Sequence, residues 1–273
     1  MQSVRLVDDW PVENAAVAVV AADGGLIASH GDTGRHFRLA SVTKLITAYA
    51  ALIAVEEGVA DLDDPAGPPG ATIRHLLAHA SGLAFADNTV VARPGTRRLY
   101  SNAGFEQLAD ALAKRSGIPF ADYVRDGVLA PLSMTATKFE GSPAGGASST
   151  VADLARFGAE LQRPTLIHQS TMTAASHVAF PGLVGVVPGV GRFDPCDWGL
   201  GPELHDGKTR HWMGDRNSPA TFGHFGGAGT FVWIDPVAEI GLVALTDREF
   251  GPWAPEVWPA FSDSVLAAVG GPR

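Results

Sequence analysis

The segment from Leu45 to Val55 has no charged side chain, and its apolar residues lie on all sides of a helical wheel. A helix with this pattern is buried on every side rather than lying along a surface. We predict a helix over about 41–57, with Ser41 as its cap or first-turn residue and Gly58 as its end. A helix of this kind needs a large core around it, and 273 residues that are 46% hydrophobic can supply one.

Lys44, one of only four lysines in the chain, lies in the first turn of this predicted helix. The helix dipole disfavours a cation there and burial disfavours the charged form, so we expect the pKa of Lys44 to be lowered. Ser41 lies three residues earlier on the same helix face, within hydrogen-bond reach of the lysine amine. The S-x-x-K spacing therefore favours a catalytic role for this pair.

Apolar hairpins lie at both ends of the chain, with helices between them. Residues 15–30 around an Asp-Gly-Gly turn predict the first hairpin, and residues 230–246 around "DPVAE" predict the second. We therefore predict an α+β fold in which both hairpins share one antiparallel sheet. We expect a single domain over 1–273, with an α/β lobe formed by 1–40 and about 210–273, a helical lobe at about 41–209, and a cleft between them.

Composition excludes several classes of function. The net charge of −9 argues against nucleic acid as a partner. No run of 18 uninterrupted apolar residues is present, so we expect no membrane span. The N-terminal segment has acids and no basic region, which is unlike a signal peptide and predicts a cytoplasmic protein. The single cysteine, Cys196, excludes an internal disulfide and a multi-cysteine metal site.

Two further motifs have ordinary structural explanations when each is taken alone. The sequence "LYSN" places Tyr100, Ser101 and Asn102 before a predicted helix, which is typical of a helix cap. The sequence "HFGG", residues 224–227, leads into a predicted strand, which is typical of a glycine-rich turn with an incidental histidine.

Taken together in this order and spacing, the three motifs resemble the serine β-lactamase and penicillin-binding-protein superfamily, with its S-x-x-K, Y-x-N and K-T-G-like elements. The likeness is greatest to the class C β-lactamase-like branch, which includes esterases, D-amino-acid peptidases and amide hydrolases. The resemblance implies a β-lactamase/transpeptidase-like fold, with an antiparallel sheet flanked by helices and an active site in the cleft beside a helical lobe. It covers nearly the whole chain, in blocks such as "IRHLLAHASGL" (73–83), "PGTRRLYSNAGFEQLADALAKRSGIPFADYV" (94–124) and "GGASSTVADLARFGAEL" (145–161).

The resemblance also implies a role for each motif residue. Ser41 is the nucleophile, and Lys44 stabilises its alkoxide and helps to lower the pKa of Tyr100. Tyr100 takes the serine proton and returns it to the leaving group, while Asn102 hydrogen-bonds Lys44 and the substrate. The backbone N–H groups of Ser41, at a helix start, and Gly227, on a strand, form the oxyanion hole. No cofactor and no metal are implied.

The third motif departs from the penicillin-recognising pattern. His224 replaces a lysine and Phe225 replaces a threonine, so a permanent cation and a hydroxyl that suit a substrate carboxylate are missing. We expect His224 to be neutral and to donate a hydrogen bond to Tyr100 or to substrate. This departure from the motif argues against antibiotic hydrolysis and cell-wall peptide cleavage as the function of the protein.

Other candidate residues have simpler explanations. His75 and His79 are spaced like helical zinc ligands but lack the glutamate of H-E-x-x-H, so we expect packed, hydrogen-bonded side chains instead. Cys196 is expected to be a bystander. Trp198 and Trp212, like Phe225, are interpreted as packing residues that could line the cleft.

Three functional hypotheses follow. The first is a serine hydrolase that forms an acyl-enzyme on Ser41 and acts on small esters or amides. The second is a β-lactamase, D-alanyl-D-alanine carboxypeptidase or D-aminopeptidase. The third is a non-catalytic ligand-binding relative, which the complete set of motif residues disfavours. The sequence does not indicate the oligomeric state.

Overall fold

The structure, a computed structural model, describes residues 1–270 of the chain. The strands are β1 Ala15–Ala21, β2 Leu26–His30, β3 Phe37–Arg38, β4 Lys138–Phe139, β5 Ala147–Ser149, β6 Gly185–Val187, β7 Gly191–Phe193, β8 Glu203–Leu204, β9 Phe222–Gly226, β10 Thr230–Asp235 and β11 Ile240–Thr246. The α-helices are α1 Thr43–Glu56, α2 Ile73–Leu77, α3 Asn102–Ser116, α4 Phe120–Val124, α5 Val151–Gln162, α6 Gln169–Ala175 and α7 Trp253–Val269. Within residues 1–270, no helix has the length and apolarity that crossing a lipid bilayer requires.

A six-stranded antiparallel sheet in the order β2-β1-β11-β10-β9-β8 forms one layer of the molecule. β1 pairs with β11 so that Ala15 lies opposite Thr246 and Ala21 lies opposite Ile240. The two terminal hairpins therefore share one sheet, and the predicted α+β architecture is confirmed.

Both faces of the sheet are covered, and alternate residues of β1 show this directly. Ala16, Ala18 and Val20 pack into the core that contains α1 and α5. Val17 and Val19 pack on the other face, against α7 and the N-terminal turn. A strand that is buried on both faces carries apolar residues continuously, which explains the unbroken apolar run in β11.

Helix α1 lies inside the core, as its uncharged sequence predicts. Every residue from Thr43 to Ala54 is buried. Gly58 follows the helix with a φ of 71°, a left-handed conformation that suits glycine and ends the helix as predicted. Of the two positions predicted for Ser41, the cap is wrong, because no side chain caps α1, and Ser41 lies instead in the 3-10 turn Ala40–Val42 that leads directly into α1.

Two elements from the middle of the chain pair with or pack against the sheet. β8 pairs with β9 at the sheet edge, and α5 packs against β1 and β11. Both elements lie in the stretch assigned to the helical lobe from the sequence. Helix α5 packs against the sheet because its apolar face, which includes Leu154 and Phe157, must be buried.

The end of β9 lies directly against the backbone that precedes α1. A Cβ atom added at Gly226 would lie 2.2 Å from the Leu39 carbonyl oxygen and 3.2 Å from the Ser41 nitrogen. The Thr230 hydroxyl donates a 2.9 Å hydrogen bond to the same Leu39 carbonyl. The absence of a side chain at Gly226 therefore sets how closely the sheet approaches Ser41.

We predict that Gly226→Ala lowers the free energy of unfolding by about 2 kcal/mol, the scale typical of overpacking, because backbone must move to admit the methyl group. Gly227→Ala is the matched control, since a Cβ there meets no atom within 4 Å and the backbone is not left-handed. Urea denaturation of both variants measures the difference. Equal stability of the two variants would contradict the close approach.

Candidate active site

Ser41 opens onto a cavity of about 260 Å³ that Tyr100, His224 and Gly227 also line. The residue before it, Ala40, has a φ of 45°, in a region that non-glycine residues seldom occupy. Such strain is typical of residues that a functional site holds in place. The three sequence motifs, which are far apart in the chain, therefore meet at one cavity.

Lys44 is fully buried and surrounded by three hydrogen-bond acceptors. Its Nζ lies 3.3 Å from Ser41 Oγ, 2.7 Å from Asn102 Oδ1 and 2.7 Å from the Ala144 carbonyl oxygen. The predicted contact between the i and i+3 residues of the S-x-x-K motif is confirmed. Asn102 accepts a hydrogen bond from Lys44, as predicted.

Two threonines of α1 hold the loop that presents Ala144. The Thr47 hydroxyl donates to the Pro143 carbonyl at 2.6 Å, and the Thr43 hydroxyl accepts from the Ala147 N–H at 3.2 Å. Sequence reasoning missed Ala144 because a main-chain acceptor leaves no signature in the side chain. The polar residues within an otherwise apolar helix were the available signal.

Burial lowers the pKa of Lys44 to about 7, and the Glu106 carboxylate acts in the opposite direction. A neutral amine has two N–H donors and one lone pair. The two 2.7 Å contacts, to Asn102 and Ala144, use both donors. The lone pair is then left facing the Ser41 hydroxyl, which is the arrangement of a general base.

Tyr100 does not have the lowered pKa that the resemblance implied. Burial raises the pKa of its hydroxyl above the ordinary value, and the neighbouring Ser41 hydroxyl only partly offsets this. Lys44 does not offset the effect of burial, because its Nζ lies over the face of the Tyr100 ring, 4.8 Å from the centroid, and forms no hydrogen bond with the hydroxyl. Tyr100 is therefore a protonated hydroxyl that can donate a hydrogen bond.

His224 lies within β9, rather than in the turn that its glycine-rich context suggested. Burial and the nearby Lys44 lower the pKa of His224 to about 3, so the ring is neutral as expected. Its Nδ1 lies 2.6 Å from the Phe225 carbonyl oxygen, which can only accept, so Nδ1 carries the proton. Its Nε2, 3.5 Å from the Tyr100 hydroxyl, is then an acceptor. The expected donation from His224 to Tyr100 is wrong, because the Phe225 carbonyl takes the only proton of the ring.

Two backbone N–H groups at this cavity are available to a ligand. Within residues 1–270, neither the Ser41 N–H nor the Gly227 N–H forms an intramolecular hydrogen bond. Gly227 lies in the turn after β9, one residue beyond the strand on which it was expected. Two free donors beside a nucleophile suit a developing oxyanion.

Aromatic side chains fix the Tyr100 ring. The His79 ring lies 4.4 Å from it and the Trp198 ring 5.9 Å, measured between centroids. The His79 Nδ1 accepts from the Ser101 N–H at 3.1 Å, whereas the His75 Nδ1 contacts the Thr72 hydroxyl at 2.9 Å. The two histidines thus make the separate packed contacts predicted for them.

Helix α3 begins beside the site, and adjacent residues there have different roles. The Ser101 hydroxyl accepts from the Gly104 N–H at 3.0 Å and caps the helix, as the isolated motif predicted. Its neighbours Tyr100 and Asn102 face the cavity and Lys44 instead. A helix cap and two site residues therefore coexist in one short segment.

The remaining predicted residues lie around or below the cavity. Trp198 and Phe225 line it, while the Trp212 ring packs 5.5 Å from the Phe225 ring in the core. Cys196 is buried away from the cavity, and burial raises the pKa of its thiol to about 11. Phe85 and Phe250 also line the cavity and had no motif to reveal them.

Comparison with known proteins agrees with this geometry. The chain is 52% identical to a crystal structure described as a β-lactamase from Mycobacterium bovis, with a TM-score of 0.96 over 98% of this chain and 99% of that one. A 176-residue segment is 28% identical to the D-alanyl-D-alanine-carboxypeptidase/endopeptidase AmpH of Escherichia coli. That match covers 46% of each protein, so it spans about half the length of this relative.

The fold itself is shared more widely. A structure described as EstCE1, a hydrolase with promiscuous acyltransferase activity, has a TM-score of 0.78 and 17% identity over 96% of each chain, a likeness of fold. A family model described as Beta-lactamase matches residues 12–266, nearly the whole chain. The chain therefore belongs to the Beta-lactamase family of serine hydrolases, with a β-lactamase/transpeptidase-like fold.

Proposed function

We propose that the protein hydrolyses small esters or amides through an acyl-enzyme on Ser41. The observation that carries this proposal is the environment of the Lys44 amine. This amine lies 3.3 Å from the Ser41 hydroxyl, and its pKa of about 7 allows it to be neutral near neutral pH. An amine with this pKa is an effective general base near neutral pH. The Ser41 and Gly227 N–H groups supply the complementary oxyanion site.

In the proposed acylation, the Ser41 oxygen attacks the substrate carbonyl carbon and its proton passes to the Lys44 amine. The negative charge on the carbonyl oxygen is stabilised by the N–H groups of Ser41 and Gly227. The bond to the leaving group then breaks. The leaving oxygen or nitrogen takes the proton that Lys44 received from Ser41, while the Tyr100 hydroxyl donates a hydrogen bond to it.

Deacylation reverses this route with water in place of the leaving group. Water gives a proton to Lys44 as its oxygen attacks the acyl carbon, and the Ser41 oxygen recovers that proton from Lys44 when it leaves. Neutral His224 accepts a hydrogen bond from Tyr100 and so orients the Tyr100 hydroxyl. This assignment makes Lys44 the base and Tyr100 a hydrogen-bond donor to the leaving group.

The cavity wall favours uncharged groups at the reacting carbonyl. Phe225 offers a ring where penicillin-recognising relatives carry a hydroxyl, and His224 is neutral with its only proton already donated. These features support esters and simple amides over β-lactams.

The second candidate, β-lactamase or D-alanyl peptidase activity, is favoured by the likeness to the M. bovis β-lactamase and to AmpH. Rates with short p-nitrophenyl esters, D-amino-acid amides and nitrocefin separate the two.

A fluorophosphonate probe is predicted to label Ser41 covalently, because the hydroxyl lies beside a base and two free N–H donors. Intact-protein mass spectrometry should show one adduct, and Ser41→Ala should abolish it. Labelling that persists in the Ser41→Ala variant would contradict the assignment. A wild-type protein that resists the probe and every ester would favour a ligand-binding relative.

Lys44→Met and Tyr100→Phe are each predicted to lower kcat for a p-nitrophenyl ester by about 10² or more, the usual scale for losing general acid–base catalysis. Methionine retains the volume of the buried lysine stem, so the fold should survive, and thermal unfolding checks this. Wild-type rates in both folded variants would refute the mechanism.

The pH dependence of kcat/KM is predicted to show an acid limb near pH 7, where protonation of Lys44 removes its lone pair. Glu106 raises the pKa of Lys44, so Glu106→Gln should move this limb to lower pH. The control is Asp110→Asn, which removes the same charge from an exposed position on α3. A limb that stays in place in Glu106→Gln, or that shifts equally in Asp110→Asn, would show that another group titrates.

A further inference from the structure

A groove of about 660 Å³ adjoins the Ser41 cavity and shares Phe85, Tyr100 and Pro188 with it. Its volume is within the range of small-molecule sites. No catalytic role described above uses its outer part. A substrate that reaches Ser41 can therefore extend one arm along this groove.

Three large apolar side chains that line the groove are unusually exposed to solvent. Phe85 is 52% exposed, Val91 57% and Val186 52%, and these are among the most exposed large hydrophobic side chains of residues 1–270. Clustered exposed apolar groups beside a catalytic cavity mark a binding surface. An aliphatic or aromatic substrate arm would cover them.

The charged residues of the groove are all arginines. Arg97, Arg98 and Arg192 line it and no aspartate or glutamate does, although acidic residues outnumber basic ones by 29 to 20 in the chain. Within residues 1–270, neither Arg97 nor Arg192 forms an ion pair or a side-chain hydrogen bond. Exposed guanidinium groups without carboxylate partners are the donors that proteins use to bind carboxylates and phosphates.

Arg98 lines the groove, but main-chain acceptors already bind its guanidinium. The buried Arg98 guanidinium donates to the carbonyls of Cys196 at 3.0 Å and Ala179 at 2.7 Å, and also to that of Ala78. This network ties the segment that carries Arg97 to three main-chain segments that do not line the groove. Arg98 is saturated by main-chain acceptors, so Arg97 is left for a ligand.

Arg192 is placed by strand pairing. It lies on β7 directly opposite Val186 of β6, so the two side chains share one face of the hairpin. The cation and an apolar side chain are thereby presented together. The β6–β7 hairpin lies directly beside the segment that carries Arg97, since Arg98 pairs with Gly185 in a parallel bridge, and both segments line the groove.

We propose that this groove selects substrates in which one arm, attached to the ester or amide, is apolar and ends in a carboxylate or phosphate that Arg97 and Arg192 bind. The proposal rests on the proposed hydrolase function and names its substrate class. It also reconciles the uncharged third motif with an anionic substrate, because the charge is bound away from the reacting carbonyl.

The test compares esters that differ only in their terminal group. One series consists of p-nitrophenyl monoesters of glutaric to suberic acid, each paired with its methyl-capped form. A second series carries the carboxylate, or a phosphate, on the alcohol arm of an acetate ester, with capped partners. At low ionic strength we expect the anionic member of at least one series to exceed its capped partner in kcat/KM by about tenfold or more. The better of carboxylate and phosphate identifies the anion.

Arg97→Gln combined with Arg192→Gln should abolish the preference and leave the capped esters within about twofold of wild type. Arg93→Gln is the matched control, since Arg93 is an exposed arginine of the same segment that does not line the groove. Turnover of capped esters with no anionic preference overturns the groove proposal alone. So does a preference that survives the double substitution or is lost equally in Arg93→Gln. Failure of every ester together with an unlabelled Ser41 overturns the proposed function as well.

Discussion

The burial of Lys44 within α1 is the constraint on which the rest of the site depends. A charged amine inside a core is destabilising unless acceptors surround it or it loses its proton. Here both occur, since three oxygens contact Nζ and the pKa falls to about 7. The apolar helix makes the lysine a base, and the acceptors from Asn102 and Ala144 direct its lone pair toward Ser41.

The sheet positions the remaining groups of the site. β9 approaches the backbone before α1 so closely that only glycine fits at Gly226. That approach brings the Gly227 N–H to the same cavity as Ser41, and it places His224 beside Tyr100. The nucleophile, the base and the oxyanion donors are thus positioned by one helix–sheet contact, while the arginine-lined groove is built by the β6–β7 hairpin and the segments around residues 83–100.

The sequence predicted those features that local rules determine. The terminal hairpins, the buried helix and the Ser41–Lys44 contact follow from periodicity and i, i+3 spacing, and the structure has all three. Features that depend on distant main-chain groups could not be predicted. The Ala144 carbonyl that accepts from Lys44 and the Phe225 carbonyl that fixes the His224 tautomer carry no side-chain signal. The implied lowering of the Tyr100 pKa was wrong because burial raises this pKa, and how deeply the hydroxyl is buried depends on packing between distant segments.

The most direct test of this account is the pKa of Lys44 in the folded protein. Nuclear magnetic resonance of the protein labelled with ¹³C-lysine resolves four side chains, and the signal lost in Lys44→Met assigns the relevant one. This signal is predicted to titrate near pH 7, more than three pH units below the ordinary lysine value of 10.5. A Lys44 signal that titrates at pH 10 or above would contradict its role as the base.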